Sequence, residues 1–191
     1  MRRLECLQAI YEDLQDCAVV TIMGATSAEL HSLGHRPNFF YLQHAMGLGS
    51  STGLGLALCL PQQKVVVFDG DGSILMNLGS LATEVTSGVT NLVHVIWDNG
   101  GWEITGAQPA GSPFGVDLEA VARGCGFTRT ATVEDLESFR RVFAEAISDA
   151  QAWAIVGKVE AGDSAYRPSK NCIWLRDRFK TSLEPPGDRS G

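Results

Sequence analysis

The sequence predicts an α/β fold: a three-layer, doubly wound parallel sheet with helices on both faces. Apolar runs of strand length alternate along the chain with segments whose apolar residues recur at helical spacing. The strand-like runs are apolar almost throughout, which is typical of strands buried on both faces of a parallel sheet. Regular βα alternation favours a parallel sheet that helices cover on both sides. With 191 residues, 45% of them hydrophobic, the chain can form one domain with a substantial core.

The first half of the chain contributes three predicted helices and two predicted strands. The first helix carries an apolar stripe, and the third is rich in glycines that permit close packing but lower helix propensity. The second helix follows a turn at residues 24–27, where Thr26 or Ser27 can act as the N-cap. In chain order the elements are a helix at 3–15, a strand at 18–23, a helix to about residue 33, a strand at 39–42 and a helix at 47–60.

The second half contributes four predicted strands and three predicted helices. Asp117 begins the second of these helices, and the third is amphipathic. In chain order the elements are a strand at 64–69, a helix near 78–87, a strand at 91–97, a helix at 117–123, a strand at 127–131, a helix at 133–148 and a strand at 153–159. Residues 1–162 therefore form one predicted domain. Residues 163–191 form a predicted polar tail with an apolar island at 172–175 and a disordered end.

Bulk composition excludes several classes of protein. The net charge of −7, without any run of Lys or Arg to offset it, argues against a nucleic-acid-binding surface. The longest apolar runs are strand-length, so no membrane-spanning helix is predicted, and the start turns polar too soon for a signal peptide. We therefore expect a cytoplasmic protein. The five cysteines form no C-x-x-C pair, so neither a disulfide framework nor a zinc site is predicted. His94, inside an apolar strand, is expected to be a packed, hydrogen-bonded residue.

Polar residues follow two of the predicted strands at the points where the strands end. Asp71 lies in the Gly-rich segment after the strand at 64–69, and Asn99 follows the strand at 91–97. The carboxyl ends of neighbouring parallel strands are where open α/β sheets bind ligands. Carboxylate, amide and carbonyl oxygens suit Mg²⁺ or Ca²⁺, and glycines let the backbone approach a phosphate. The residues therefore predict a metal-bridged diphosphate site; the alternative is two plain turns, at Gly70–Gly72 and at Asn99–Gly100.

These two segments resemble the motif of thiamine diphosphate-dependent enzymes, in which GDG is followed at this separation by NN. Here the first Asn of the pair is replaced by Asp98, whereas the second, Asn99, is retained. The resemblance implies that Asp71, Asn99 and the backbone carbonyl of Gly101 bind Mg²⁺, or Ca²⁺ in its place. It implies the fold of the family's diphosphate-binding domain. The residues implied to bind thiamine diphosphate are Gly24, Thr26, Ser27, Met46, Gly70, Gly72, Ser73, Ile104 and Thr105.

Met46 and His44 are the residues of this chain that the resemblance places nearest the chemistry. Met46 matches the bulky apolar residue that keeps the cofactor folded; the alternative is a Met of the ordinary core, which the neighbouring motifs disfavour. His44 could contact the substrate or the aminopyrimidine and shuttle a proton, or it could be a structural, hydrogen-bonded residue. Glu103 either faces the substrate or is an exposed carboxylate at a helix start.

The resemblance also implies that the active site needs a second domain in addition to this chain. Enzymes of this family need a second domain that binds the aminopyrimidine and supplies an activating Glu, and this chain has room only for the diphosphate-binding half. We therefore expect a pyrimidine-binding, alpha-type partner subunit that provides this Glu, in a hetero-oligomer whose active site lies at the interface.

Within the family, the chain resembles the branch that contains the sulfopyruvate decarboxylase beta subunit and the C-terminal half of phosphonopyruvate decarboxylase. It implies decarboxylation of a small 2-oxoacid to an aldehyde and CO₂. Candidate cations for a sulfonate or phosphonate group are His44, Arg36, Arg167 and Lys170.

Two alternatives stay open. Within the same cofactor class, the complex could be a carboligase or could decarboxylate another 2-oxoacid, including an aromatic one, which Trp102 would permit. In another class, the chain could be a non-catalytic α/β binding or regulatory module. The absence of a self-contained active site supports the second alternative, whereas the joint presence of Asp71, Asn99, Ser73 and Met46 argues against it.

Overall fold

A six-stranded parallel sheet forms the centre of the protein in a computed structural model, which describes residues 1–162 and 171–183. The strands of this sheet are β1 (Ala18–Thr21), β2 (Phe39–Tyr41), β3 (Val65–Gly70), β4 (Leu92–Asp98), β7 (Arg129–Val133) and β8 (Trp153–Lys158). Their order is β2-β1-β3-β4-β8-β7, and every neighbouring pair is parallel. Two further strands, β5 (Gly101–Trp102) and β6 (Gln108–Pro109), form a short antiparallel hairpin after β4.

Helices cover both faces of the sheet. They are α1 (Arg3–Ile10), α2 (Ala25–Ser32), α3 (Gly49–Cys59), α4 (Asp71–Leu75), α5 (Gly79–Thr86), α6 (Leu118–Gly124), α7 (Leu136–Ser148) and α8 (Cys172–Leu183). Short 3₁₀ turns lie at Glu12–Leu14, Glu103–Thr105 and Ser112–Phe114. Over the described ranges, 1–162 and 171–183, no helix has the length and apolar character needed to cross a membrane. The cytoplasmic location stays a prediction.

Apolar side chains fill the space on both sides of the sheet. On one face, Leu7 of α1, Leu30 of α2 and Phe139 of α7 are completely buried in one cluster with the sheet. On the other face, Ala57 of α3 and Leu81 of α5 pack against the strand residues whose side chains lie on that face. The predicted three-layer, doubly wound α/β fold is therefore confirmed, and the strand ends form one edge at which loops can assemble a site.

The start of α2 differs from the prediction. The helix begins at Ala25, and Gly24, with φ of 90°, is its N-cap residue. Thr26 and Ser27 lie inside the first turn, where the Ser27 hydroxyl donates back to the Gly24 carbonyl at 2.9 Å. The predicted Thr26 or Ser27 cap is wrong, because a capping side chain must precede the first helical residue.

Side-chain caps explain two boundaries in the second half of the chain. Asp117 accepts a hydrogen bond from the Ala120 N–H at 2.9 Å, so that α6 starts where predicted. Asp135 accepts one from the Ser138 N–H at 2.9 Å and starts α7 at Leu136, later than the predicted residue 133. Because the helix starts later, β7 continues to Val133, beyond the predicted end at residue 131.

Helix α8 occupies the segment that the sequence predicted to be a polar tail. Leu175 and Phe179 are 1% and 6% exposed, and the Phe179 ring lies 5.2 Å from that of Phe40 on β2. The tail therefore includes a helix that packs on the edge of the sheet. The predicted disorder at the end of the chain, at residues 185–191, lies outside the described residues. The assignment of residues 1–162 to a single domain stays a prediction.

Candidate active site

A cleft opens at the carboxyl ends of β1, β3 and β4. Loops that are distant in the sequence meet there because parallel strands end at the same edge of the sheet. Most of the residues predicted to bind a ligand line this cleft: Thr26, Met46, Gly70, Asp71, Gly72, Ser73, Asn99, Gly101, Ile104 and Thr105.

Three other predicted site residues do not line the cleft. Gly24 lies directly behind Ile104, since a Cβ on Gly24 would approach Ile104 Cδ1 to 2.6 Å. Ser27 is buried, with its hydroxyl on the Gly24 carbonyl. His44 is exposed and has φ of 52°, in the left-handed region that few residues other than glycine adopt. Ligand-binding roles for these three residues stay predictions.

Asp71 connects the loops that follow β3 and β4. It is the first residue of α4 and is 2% exposed. Its Oδ1 accepts a hydrogen bond from the Gly72 N–H at 2.7 Å, and its Oδ2 accepts one from the Gly100 N–H at 2.9 Å. Burial, helped by the nearby Asp98 carboxylate, raises the pKa of Asp71 to about 7. A bound cation would favour the charged form of such a carboxylate.

Asn99 and Gly101 add neutral oxygens beside Asp71. Both residues line the cleft, and Asn99 Oδ1 accepts a hydrogen bond from the Gly101 N–H at 3.1 Å. A Cβ on Gly101 would lie 3.0 Å from the Gln108 carbonyl oxygen, so the β5–β6 hairpin favours glycine at this position. A carboxylate, an amide oxygen and a backbone carbonyl are hard ligands, and the residues present therefore fit Mg²⁺ or Ca²⁺.

The first turn of α4 is joined to the loop that carries Met46. Ser73 Oγ accepts a hydrogen bond from the Gly47 N–H at 2.9 Å, and the Asn77 amide donates to the Gly47 carbonyl at 2.9 Å. Gly47 has φ of 80°, a conformation that glycine adopts without strain. These bonds hold the half-buried Met46 at the cleft, beside the turn that contains Asp71.

The indole of Trp102 lies against Gly72. A Cβ on Gly72 would sit 2.0 Å from Trp102 Nε1, so the ring leaves room only for glycine. The 3₁₀ turn after Trp102 continues the wall of the cleft through Ile104, which is 57% exposed, and Thr105. Between this wall and the glycine backbone, the cleft can accommodate phosphate oxygens close to main-chain N–H groups.

Arg3 is a cleft residue that the sequence analysis missed. It projects from α1, is 6% exposed, and donates to both carboxylate oxygens of Glu29 at 2.8 and 3.2 Å. Its guanidinium also lies 3.9 Å from the Glu103 carboxylate, on the far wall of the cleft. No local signal marks Arg3, because the fold alone brings residues 3, 29 and 103 together.

Among the other cations proposed from the sequence, Arg36 does not line the cleft. The guanidinium of Arg36 donates to the Tyr11 carbonyl at 2.8 Å and forms an ion pair with Glu12 at 2.8 Å. It is therefore paired with residues that do not line the cleft. Arg167 and Lys170 lie outside the described residues.

His94, Asp69 and Glu84 form a buried ionisable cluster beneath the cleft. Their exposures are 0%, 0% and 1%. His94 Nδ1 lies 3.2 Å from the Glu84 carboxylate, and Nε2 lies 3.6 Å from the Asp69 carboxylate. Burial lowers the pKa of His94, but the two carboxylates outweigh this effect and raise the pKa to about 10. The expectation of a packed, hydrogen-bonded His94 is confirmed, whereas its ion pairing was not predicted.

Comparison with known proteins identifies one family. The model of the thiamine pyrophosphate enzyme C-terminal TPP binding domain matches residues 23–156, which is well over half of the chain. Subunit beta of sulfopyruvate decarboxylase from Methanocaldococcus jannaschii is 40% identical over 158 residues, 82% of this chain and 83% of that protein. Phosphonopyruvate decarboxylase from Streptomyces viridochromogenes is 37% identical over 187 residues; the match covers 96% of this chain but 47% of that protein.

Solved structures confirm the architecture. Benzoylformate decarboxylase from Polynucleobacter necessarius superposes with a TM-score of 0.75 at 18% identity, over 86% of this chain and 34% of that chain. A thiamine diphosphate-dependent 4-hydroxybenzoylformate decarboxylase from Rhodococcus jostii superposes with a TM-score of 0.72 at 20% identity, over 86% and 33%. At these identities the likeness is one of fold.

Proposed function

The chain belongs to the thiamine pyrophosphate enzyme family through its C-terminal TPP binding domain, and we propose that it is the diphosphate-binding subunit of a Mg²⁺-dependent decarboxylase. Its proposed substrate is a small 2-oxoacid of the sulfopyruvate or phosphonopyruvate type, converted to an aldehyde and CO₂. One observation carries the proposal: Met46, Asp71 with Ser73, and Asn99, which come from three separate segments of the sequence, line a single cleft at the strand ends.

The cleft offers each part of the cofactor a matching group. Asp71, the Asn99 amide and the Gly101 carbonyl would hold Mg²⁺, or Ca²⁺ in its place, and the metal would supply positive charge for the diphosphate. The turn at Gly70–Ser73, with Thr26 and Thr105 across the cleft, would hold phosphate oxygens. Met46 would supply an apolar contact to the cofactor. When bound, thiamine diphosphate supplies an electron sink for loss of CO₂ from a 2-oxoacid.

A partner subunit completes the proposed enzyme. Three of the similar proteins are named as beta subunits, whereas the match spans only 47% of the chain of phosphonopyruvate decarboxylase from Streptomyces viridochromogenes. This difference supports a second, pyrimidine-binding polypeptide that supplies the activating Glu in a hetero-oligomer.

The surface beside the cleft also supports a partner. From residue 44 to residue 63 the chain has no Asp, Glu, Lys or Arg, although 19% of all residues are charged. The apolar side chains of Leu48 and Leu58, at the two ends of α3, and of Met76, at the end of α4, are 51%, 55% and 62% exposed. Glu84, the charged residue of α5, is buried. We call the exposed side of α3 and α5 the uncharged face, and we propose that the partner covers it.

A second candidate substrate class rests on Trp102. The indole lines the cleft, so an aromatic 2-oxoacid, or carboligation in place of simple decarboxylation, is the alternative within the same cofactor class. We do not retain the non-catalytic module, because the relatives are named decarboxylases.

The experiment that tests this function is an assay of the complex purified from its host with a tag on this chain. Sulfopyruvate, phosphonopyruvate and benzoylformate are offered with thiamine diphosphate and Mg²⁺, and CO₂ and aldehyde are measured. Turnover of one of the first two supports the proposal, and turnover of benzoylformate alone moves the assignment to the aromatic class. Cofactor binding without decarboxylation of any 2-oxoacid would contradict the proposed reaction.

A further inference from the structure

Asp98 and Lys158 stand side by side at the carboxyl edge of the sheet. They end β4 and β8, and the parallel register of these strands pairs them directly. Lys158 Nζ lies 2.5 Å from Asp98 Oδ2. The Asp98 side chain is 1% exposed and the Lys158 side chain 39%, so the carboxylate is the buried partner. A charge buried to this extent requires a counter-charge or several hydrogen bonds.

Asp98 is bound on its other oxygen by the loops around the cleft. Ser112 Oγ donates to Asp98 Oδ1 at 2.6 Å, and the Gly100 N–H lies 3.1 Å from the same oxygen. That N–H also donates to Asp71 Oδ2 at 2.9 Å. Asp98 and Asp71 therefore share one donor, and the shared donor belongs to the loop that connects Asn99 to Gly101.

The shared N–H makes the loop sensitive to the charge of Asp98. Two carboxylates that meet at a single N–H repel each other unless one of them is neutralised. Lys158 provides this neutralisation through its ion pair with Asp98, and it is not among the residues that line the cleft. A neutral Asn, the residue of the family motif at this position, would not require it.

We propose that Lys158 is a positioning residue for the metal loop, acting through Asp98. By neutralising Asp98, it keeps residues 99–101 in the conformation in which Asn99 and Gly101 can bind a metal together with Asp71. The inference rests on the proposed function, because it assigns the loop to the binding of Mg²⁺ and thiamine diphosphate. It predicts that the requirement for Lys158 exists only while position 98 is an acid.

A double-mutant cycle tests whether the requirement for Lys158 depends on Asp98. It is carried out on the full chain purified with its partner. The variants are Lys158→Met, Asp98→Asn and the double variant. The control is Lys64→Met. Lys64 immediately precedes β3, at the amino-terminal ends of the strands, and donates to the Asp149 carbonyl. Binding of thiamine diphosphate is titrated at fixed Mg²⁺ by isothermal calorimetry, and the midpoint of thermal unfolding is measured without cofactor.

Lys158→Met should weaken cofactor binding by about tenfold or more, the effect typical of losing a group that orients a metal ligand. Asp98→Asn and the double variant should bind within about threefold of the wild type, because no buried charge is then left unpaired. Lys64→Met should leave the affinity unchanged even where it lowers the unfolding midpoint. The Lys158→Met variant should also unfold at a lower temperature, and Asp98→Asn should restore the midpoint.

Unchanged or tighter binding in Lys158→Met would overturn the inference, since a freed carboxylate that acted only by its charge would attract Mg²⁺. A double variant as weak as Lys158→Met would overturn it as well. Failure of the wild type to bind Mg²⁺ and thiamine diphosphate would instead contradict the proposed function. In that case the unfolding midpoints would still show whether Lys158 and Asp98 depend on each other.

Discussion

Asp71 is the residue on which the geometry of the cleft depends most. Its two oxygens accept N–H groups from two different loops, and its side chain is almost wholly buried. Burial raises its pKa to about 7, so the charged carboxylate is costly without a cation beside it. Asp71 therefore joins the loops after β3 and β4, and we propose that it is also the strongest ligand for a metal.

We expect Asp71→Asn to lose metal-dependent cofactor binding while retaining the fold. The amide keeps the shape of the carboxylate but removes the anionic ligand, so the affinity for thiamine diphosphate at fixed Mg²⁺ should fall by about tenfold to a hundredfold. Circular dichroism would confirm the fold, and calorimetry would give the affinity. An affinity equal to that of the wild type would contradict the assignment of Asp71 as a metal ligand.

We expect the stability of the folded chain to decrease at alkaline pH because of His94. Its pKa is raised in the folded state to about 10, above the ordinary histidine value of about 6.5. The charged imidazole therefore contributes stability fully below about pH 6.5, and this contribution is lost as the pH rises toward 10. The free energy of unfolding should fall across this window.

The variant His94→Gln separates this effect from other titrations. It leaves Asp69 and Glu84 without their cation in the core, so its free energy of unfolding should be lower by about 3 kcal/mol at neutral pH. Urea unfolding at pH 7 and pH 9.5 should then show a smaller loss with pH than in the wild type. Equal losses in the two proteins would show that His94 is not charged in the core.

At the scale of elements, α3 contains two glycines in different surroundings. A Cβ on Gly53 would lie 2.1 Å from Val67 Cγ2 on β3, whereas a Cβ on Gly55 would meet nothing within 4 Å. Gly53 therefore permits the close approach of the helix to the sheet, and Gly55 only lowers helix propensity in the isolated chain.

The pair Gly53→Ala and Gly55→Ala measures this difference. Gly53→Ala should destabilise the chain by about 1–3 kcal/mol, because the helix must move away from Val67. Gly55→Ala should stabilise it by about 0.5–1 kcal/mol through helix propensity. Urea unfolding gives both values. Equal effects of the two substitutions would contradict the packing of α3 on the sheet.

Local sequence was sufficient to predict the elements that carry the site. The apolar runs that become β3 and β4 end abruptly at charged and Gly-rich segments, so their strands and the positions of Asp71 and Asn99 at the sheet edge were predictable. Helix α4 was not predicted, because five residues that include Gly72 have low helix propensity, and tertiary hydrogen bonds on Asp71 and Ser73 hold them instead.

Contacts between distant segments account for the rest. Arg3 reaches the cleft, and Asp98 meets Lys158, only once the strands are in register, and no spacing in the sequence records either contact. Helix α8 was predicted as part of a polar tail because four of its apolar residues are consecutive, at 172–175, and do not show helical spacing among themselves. Two of its apolar residues, Leu175 and Phe179, nevertheless bury it against the sheet.

At the scale of the whole molecule, charge is distributed unevenly. The chain carries a net charge of −7, yet the uncharged face of α3 and α5 adjoins the cleft. Exposed apolar surface without charge is typical of an interface that another protein covers. This distribution fits an active site that is complete only in a complex.

Leu58→Lys tests the uncharged face as the partner surface. Leu58 is 55% exposed, so the stability of the isolated chain should change by less than about 0.5 kcal/mol. Co-purification of the partner should nevertheless be lost, because the interface would have to bury an unpaired charge. Leu136→Lys, on α7 at the opposite face of the sheet, is the matched control and should keep the partner. Loss of the partner in both variants, or in neither, would contradict this placement.

The most direct test of the account is the content of thiamine diphosphate in the complex purified through a tag on this chain. Thiochrome fluorescence measures the cofactor after dialysis with Mg²⁺, and again after dialysis with a chelator. The account predicts close to one thiamine diphosphate per chain with Mg²⁺, loss of the cofactor with chelator, and little cofactor on Asp71→Asn or on the chain without its partner. A complex that holds its partner but retains no thiamine diphosphate in the presence of Mg²⁺ would contradict the central claim.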